Sequence, residues 1–223
     1  MTISYFVTGT DTEVGKTFAT CALLLRARRE GFRAVAIKPV AAGVAADGEN
    51  EDVRAHRAAA SPEVDLPLRV RNPYCLVPPI APHLAAREAG VEIAFSVIRE
   101  ALNVAARAAD RVLVEGAGGF RVPLGAEGDS ADLARSLGLP VILVVGMRLG
   151  CINHALLTAE AIAARRLPFA GWIANRLEPD VPRFEQNLET LKAALPTPLL
   201  GVLSCQPRPN PDPARAAEEA RWP

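Results

Sequence analysis

Six short apolar runs without polar alternation constrain this chain more than any other feature. They are "YFVTG" (5–9), "AVAIKPV" (34–40), "RVLVEG" (111–116), "PVILVVG" (140–146), "FAGWIAN" (169–175) and "PLLGVL" (198–203). A strand with one wet face alternates apolar and polar residues, whereas a strand covered on both faces does not. Between the runs, apolar residues recur at helical spacing. Phe18, Cys21, Ala22 and Leu25 share a face, as do Phe95, Ile98, Leu102 and Ala105. So do Ile152, Ala155, Leu156 and Ala159, and Phe184, Leu188, Leu191 and Leu195. Strand and helix in repetition predict an α/β fold, a doubly wound and mainly parallel sheet with helices on both faces. Residues 1–223 are expected to form a single domain. An irregular insertion with little secondary structure is expected at about 41–90, on the substrate side, and a proline-rich surface tail at about 206–223.

The first run continues as "FVTGTDTEVGKT" (6–17). A strand, a glycine turn and Gly15-Lys16-Thr17 opening a helix make the arrangement of a P-loop. Its backbone N–H groups point at a phosphate and its lysine reaches the terminal oxygens. The strict spacing is not met, because the first glycine of G-x-x-x-x-G-K-[ST] falls on Thr10 and Gly9 comes one residue early. The junction still predicts nucleotide binding. Asp11 and Glu13 would repel a phosphate if their side chains faced it. In a P-loop the backbone does the facing, so both carboxylates are expected to point outward, toward a cationic substrate or a metal. Glu13 has a second reading, as favourable charge at the helix start.

Mg²⁺ on a nucleotide takes a loop hydroxyl and one or two carboxylates, with water completing its shell. Thr17 is the hydroxyl, Glu115 ends a buried strand where ligands gather, and Asp52 follows in the long loop. Asp52 has the alternative of capping the next helix. Lys38 interrupts an apolar run, which favours an anion partner for its amine over a structural, snorkelling lysine.

Lysine plus arginine equals aspartate plus glutamate at 25 each, and no basic block stands out, which argues against nucleic acid. No apolar run approaches the ~20 residues of a membrane span, and a strand so near the N-terminus leaves no room for a signal peptide. Cys21, Cys75, Cys151 and Cys205 are scattered, as expected of buried or semi-buried free thiols in a reducing cytoplasm. His56, His83 and His154 make no metal-type cluster with them. A P-loop positioning ATPase would carry a basic patch or membrane-binding tail, but "PDPARAAEEARWP" is short and acidic. An amidating synthetase would need an attached glutaminase, for which no length remains.

"YFVTGTDTEVGKT", "IKPVAAG", "NPY", "APH", "VEGAGG", "PVILVV" and "LGCINHALLT", in this order, resemble dethiobiotin synthetase over about residues 3–205. The resemblance implies a homodimeric, Mg²⁺- and ATP-dependent enzyme of biotin synthesis. Its substrate is 7,8-diaminopelargonic acid, which takes up CO₂ as a carbamate, is phosphorylated, and closes to a cyclic urea. It implies that Thr12, Glu13, Val14, Gly15, Lys16, Thr17 and Phe18 surround the phosphates. Thr17, Asp52 and Glu115 would hold Mg²⁺, and Lys38, Lys16 and Thr12 would serve the chemistry. Gly116, Ala117 and Gly118 would lie against the bound ligands, with Gly118 on the substrate. Asn175, with Arg176 beside it, would contact the adenine, and Leu203, Ser204 and Cys205 would complete the base pocket. The substrate would also meet Ala42, and its distal carboxylate would meet the partner subunit's helix start at Gly150, Cys151 and Asn153. The chain departs from the family where Ser204 replaces a usual proline, and where Ala42 and Ala81 replace frequent hydroxyl residues.

Overall fold

The computed structural model describes residues 2–44, 48–206 and 211–223, so parts of the predicted insertion and tail, 45–47 and 207–210, lie outside the described residues. β1 (Ile3–Gly9) leads through the glycine-rich loop into α1 (Lys16–Arg29), which returns the chain to β2 (Ala34–Ile37). The insertion carries β3 (Val40–Ala42), α2 (Glu51–Ala59), α3 (Leu68–Arg71), β4 (Tyr74–Leu76) and α4 (Pro82–Glu88). α5 (Phe95–Ala108) enters β5 (Arg111–Gly119), followed by β6 (Pro123–Gly125), β7 (Gly128–Asp129) and α6 (Ser130–Leu137). The chain then alternates through β8 (Val141–Met147), α7 (Cys151–Ala164), β9 (Phe169–Arg176), α8 (Phe184–Ala194), β10 (Leu199–Leu203) and α9 (Pro213–Glu219).

The main sheet has six strands in the order β10-β9-β8-β1-β5-β2, paired in parallel throughout. Its apolar runs are explained by the cover on each face. Ala34 and Ala36 pack with α1 and with Ala59 of α2, while Val35 and Ile37 pack with α5. Leu143 and Val145 pack with α7 and α8. The doubly wound arrangement expected from the sequence is therefore present. Phe95, Ile98, Leu102 and Ala105 are buried as their spacing predicts, as are Phe184, Leu188, Leu191 and Leu195.

The order of the strands positions the site. β2 lies outside β5, β5 returns beside β1, and β8 then pairs with the other side of β1. Such a reversal leaves a crevice at the carboxyl ends of the central strands. The register sets Val7 opposite Glu115 and Ile37 opposite Val114. Lys38, next after Ile37, thus comes level with Glu115 where the P-loop begins.

Three expectations are corrected. The run 34–40 is not one strand. Pro39 has no N–H for a ladder, the Lys38 N–H donates to the Arg71 carbonyl at 2.7 Å, and β3 leaves to pair with β4. The insertion, expected to hold little secondary structure, contains short elements on which the site draws. The C-terminal segment, expected only to drape the surface, forms α9 and packs on α1. Ala216 and Ala217 are buried, and Trp222 donates its indole N–H to the Leu23 carbonyl at 3.0 Å.

Gly201 of β10 is where this C-terminal segment comes closest. A Cβ there would stand 2.4 Å from the Glu219 carbonyl oxygen and 3.0 Å from Ala220 Cα. Gly201→Ala should lower stability by about 1–3 kcal/mol, as overpacking against backbone does. Urea unfolding measures this, and an unchanged midpoint would mean that the segment is only loosely draped.

Candidate active site

Gly9 and Gly15 shape the loop between β1 and α1. A Cβ on Gly9 would fall 2.6 Å from Val14 Cγ2 and 3.0 Å from the Asp11 carbonyl oxygen. The glycine that comes one residue early is thus required by Val14, whose side chain is buried against it. Gly15 takes a left-handed φ of 85°, and a Cβ there would lie 2.1 Å from Asn175 Nδ2. Asn175, near the end of β9, donates that amide to the Val14 carbonyl at 2.9 Å and so holds the loop. Among the described residues the backbone N–H groups of Glu13, Val14, Gly15, Lys16, Thr17 and Phe18 meet no acceptor. A run of open donors at a helix start is a site for an anion with several oxygens. Lys16 reaches back to the Asp11 carbonyl at 2.9 Å. Burial, and then the Lys38 ammonium, pull its pKa down to about 8.

The acidic residues of the loop do not face this cradle. Asp11 points outward, but its partner is Arg148, at 2.6 Å, while its other oxygen accepts the Thr12 N–H at 2.8 Å. Neither a substrate nor a metal is needed to explain it. Glu13 is exposed at a φ of 59°, and the first turn of α1 holds no acidic residue. Glu13 therefore does not cap α1 and lines the cleft described below.

Glu115, fully buried, is the centre of the charged cluster. Its Oε1 accepts from Lys38 Nζ at 2.6 Å and lies 2.8 Å from the Thr17 hydroxyl. Lys38 also pairs with Asp52 at 2.8 Å, and Thr17 Oγ1 lies 2.7 Å from Asp52 Oδ1. Burial alone would raise the Glu115 pKa, but the Lys38 and His56 charges hold it well below the usual carboxylate range. Burial alone would lower that of Lys38, but Glu115 and Asp52 raise it above its ordinary value. Lys38 therefore meets the expectation of an anion partner through two carboxylates. Asp52 is not the N-cap of α2. Asn50 is, accepting the Asp52 N–H at 3.0 Å.

The donor set suits Mg²⁺. One hydroxyl hydrogen on Thr17 cannot serve both neighbouring carboxylates, so the three side chains bring together more oxygen lone pairs than protons. Mg²⁺ uses such hard oxygens and shares its shell with phosphate and water. Among the described residues no group of three or more His, Cys, Asp or Glu side chains forms a protein-only metal cage.

Reading the sequence missed His56. Its Nε2 stands 2.7 Å from Glu115 Oε2, and the ring is buried. The available signal was the spacing in "EDVRAH", which puts Asp52 and His56 four residues apart on one face of a helix.

A cleft of about 1040 Å³ opens beside the cluster, with Thr12, Lys38, Ala42, Asp52, Ala81 and Gly118 among its walls. Gly118 has a φ of 61°, and a Cβ there would meet Thr12 Oγ1 at 3.4 Å. Ala117 joins this wall, while a Cβ on Gly116 would press on the Phe6 ring at 3.1 Å. Gly150, Cys151 and Asn153 are not among its walls. They start α7, where Gly150 has a φ of 92° and the N–H groups of Ile152 and Asn153 meet no acceptor among the described residues.

Leu203 is in register with Asn175 on the neighbouring strand, which brings the two expected base-contact segments together. Ser204 uses both its N–H and its hydroxyl on Glu219 of α9, and Cys205 Sγ lies 3.7 Å from the Leu177 carbonyl oxygen. Arg176 stacks on Phe184 at 3.8 Å and pairs with Glu185 at 3.5 Å, engaging α8. Phe18 is half-buried and lines a separate pocket with Cys21, Leu25 and Pro213.

Removing Lys38 would leave Glu115 buried with less compensation. Lys38→Met should therefore cost about 3–5 kcal/mol of stability, the range for breaking a buried pair. Lys38→Met with Glu115→Leu should recover much of that loss, because both charges are gone. Denaturant unfolding of the two single variants and the double variant tests this; additive losses would show that the pair is not coupled.

A family model described as an AAA domain matches residues 4–211. A protein of Aromatoleum aromaticum named ATP-dependent dethiobiotin synthetase BioD is 56% identical over 223 residues, 99% of this chain and 97% of that one. A Nitrosospira multiformis protein of the same name is 54% identical over 199 residues, 89% of this chain and 87% of that one. Among solved structures, the septum site-determining protein MinD complexed with Mg-ADP from Pyrococcus horikoshii aligns with a TM-score of 0.56 at 16% identity. That alignment covers 92% of this chain and 82% of that one. The cell division protein FtsY of Thermotoga maritima aligns with a TM-score of 0.52 at 16% identity, covering 98% of this chain and 68% of that one. Both likenesses speak to the fold alone. With relatives of this identity over nearly its whole length, the chain belongs to the ATP-dependent dethiobiotin synthetase family.

Proposed function

We propose that this chain, working as one domain, carries out the ATP-dependent carboxylation and ring closure of 7,8-diaminopelargonic acid, giving dethiobiotin, ADP and phosphate. The observation that carries this reading is the meeting of an open N–H cradle, two buried lysines and the Thr17–Asp52–Glu115 oxygens at the edge of one cleft. The relatives' printed name supplies the product, dethiobiotin, and the use of ATP, and the diamine substrate is what the family resemblance implies.

The chemistry asks for positive charge and positioning. One amine of the substrate takes up CO₂ as a carbamate, which is a poor electrophile until its oxygen becomes a leaving group. Phosphorylation by ATP makes it one, and the second amine then attacks the carbon, closing the urea and expelling phosphate. Phosphoryl transfer of this kind depends mainly on positioning and charge neutralisation. The loop N–H groups from Glu13 to Phe18 bind the phosphates. Lys16 reaches the terminal oxygens, and Lys38 meets the carbamate and the transferred group. Thr17, Asp52 and Glu115 would hold Mg²⁺, which supplies further neutralisation of phosphate charge when bound. Thr12 and Gly118 form the wall along which the diamine lies, and Ala42 leaves one hydrogen bond to it unmade. Asn175, Arg176 and the segment Leu203, Ser204 and Cys205 receive the base, with Gly116 and Ala117 close to the bound ligands.

The distal carboxylate is received at the α7 start of a second copy, at Gly150, Cys151 and Asn153. Open N–H groups there support this, and so do two exposed apolar side chains nearby, Leu149 at 99% and Leu157 at 56% exposure. The working unit is then a homodimer. A cytoplasmic location accords with free thiols, and among the described residues no helix is long and apolar enough to cross a membrane.

Phosphate release by the purified protein should require both diaminopelargonate and bicarbonate. Lys16→Gln should reduce it roughly 100-fold or more, the scale of losing a preorganised charge contact, with an unchanged circular dichroism spectrum. Phosphate release indifferent to diaminopelargonate would overturn the substrate, and near-normal turnover in Lys16→Gln would overturn the role of the loop. Ala42→Ser should lower the apparent diaminopelargonate constant several-fold, since one hydrogen bond contributes about 0.5–1.5 kcal/mol. An unchanged constant would mean that another group fills that role.

A further inference from the structure

His56 has no part in the reading above, yet it is placed with care. α2 carries Asp52 and His56 four residues apart, on one face, with Asp52 on Thr17 and Lys38 and His56 on Glu115 in the middle of β5. An ionised Glu115 only accepts, so the ring donates its Nε2–H to Oε2 at 2.7 Å. The other oxygen, Oε1, accepts from Lys38 at 2.6 Å and lies 2.8 Å from Thr17 Oγ1. The two oxygens of one carboxylate thus have separate duties. Oε2 is committed to the histidine, and Oε1 faces the hydroxyl that Asp52 also faces. The arrangement is not explained by packing. His56 is buried, and its Nδ1 meets no partner among the described residues. A buried polar atom without a partner carries an uncompensated desolvation penalty that an apolar side chain would avoid.

We propose that His56 is a positioning residue that holds Glu115 as a one-oxygen ligand and thereby favours Mg²⁺ over larger cations such as Ca²⁺. This rests on Glu115 being a metal ligand, as the proposed function has it. Mg²⁺ demands a compact octahedron, whereas Ca²⁺ takes more oxygens and accepts both from one carboxylate. With Oε2 tied to the ring, Glu115 cannot offer both oxygens. Without the ring, the carboxylate can turn and chelate the larger ion.

The test is ADP binding by calorimetry across a series of MgCl₂ or CaCl₂ concentrations, for the unaltered protein, His56→Leu and His56→Gln. The glutamine amide can reach Glu115 where the imidazole does, and leucine leaves Oε2 free. In His56→Leu the Mg²⁺ midpoint should rise by about tenfold, the lower end for losing an outer partner of a metal ligand. The Ca²⁺ midpoint should stay level or fall, and ADP affinity in EDTA should not change. His56→Gln should bring the Mg²⁺ midpoint back toward that of the unaltered protein. If His56→Leu does not fold, His56→Asn, too short to reach Oε2, is expected to show the same pattern. Mg²⁺ and Ca²⁺ midpoints rising together, or an equal loss of ADP affinity in EDTA, would reduce His56 to a structural role. A Mg²⁺ midpoint unmoved in His56→Leu would overturn the inference alone. If ADP binding by the unaltered protein were indifferent to Mg²⁺, the metal site itself would be overturned, and this inference with it.

Discussion

A carboxylate with no exposed surface, at Glu115, sets the terms for everything around it. A charge removed from water persists only where neighbours compensate it. Here the compensation comes from several separate parts of the chain. Lys38 follows the end of β2, α2 brings His56, and α1 brings Thr17. Each of these is also a residue that a nucleotide and its cation would use, or stands next to one. Folding the chain and assembling the site are therefore largely one event, with Glu115 common to both.

Convergence of this kind follows from the topology. The strand order carries β2 past β5 and brings β5 back beside β1, so Lys38, just after β2, comes level with Glu115 of β5, which lies opposite Val7 of β1. The insertion completes the arrangement. Asn50 donates to the Gly43 carbonyl at 2.7 Å and caps α2, which fixes the helix that holds Asp52 and His56. Ala42, Val77 and Ala81 from the same insertion line the cleft. On the far side of the P-loop, Arg148 joins Asp11 to the segment that starts α7. Such a pair between half-exposed side chains contributes little stability, but it links the loop to the face proposed for the second subunit.

The features legible in the sequence were those with a local cause. Apolarity on both faces identified the strands, since residues such as Val35 and Ala36 have cover on either side. Gly15-Lys16-Thr17 identified the loop, because open N–H groups at a helix start are a backbone property. Features with non-local causes were not legible. The break after Ile37 depends on Pro39, but also on an acceptor at Arg71 far along the chain. The outward turn of Asp11 could be read, whereas its partner Arg148 could not, being 137 residues away. The burial of Ala216 and Ala217 depends on a groove beside α1 that a proline-rich composition does not announce. His56 lay in between, since its spacing from Asp52 was visible but its partner on β5 was not.

The central claim is that the oxygens of Glu115 and Thr17, now facing Lys38 and Asp52, are those that receive the cation beside the nucleotide. A crystal structure of the protein with Mg²⁺ and a non-hydrolysable ATP analogue tests this most directly. The account predicts Mg²⁺ bound directly to Thr17 Oγ1 and to Glu115 Oε1, with Glu115 Oε2 still on His56 and Lys38 Nζ turned from Glu115 toward the γ-phosphate. A structure in which Mg²⁺ touches only phosphates and water, with Lys38 still locked on Glu115 and Asp52, would contradict it.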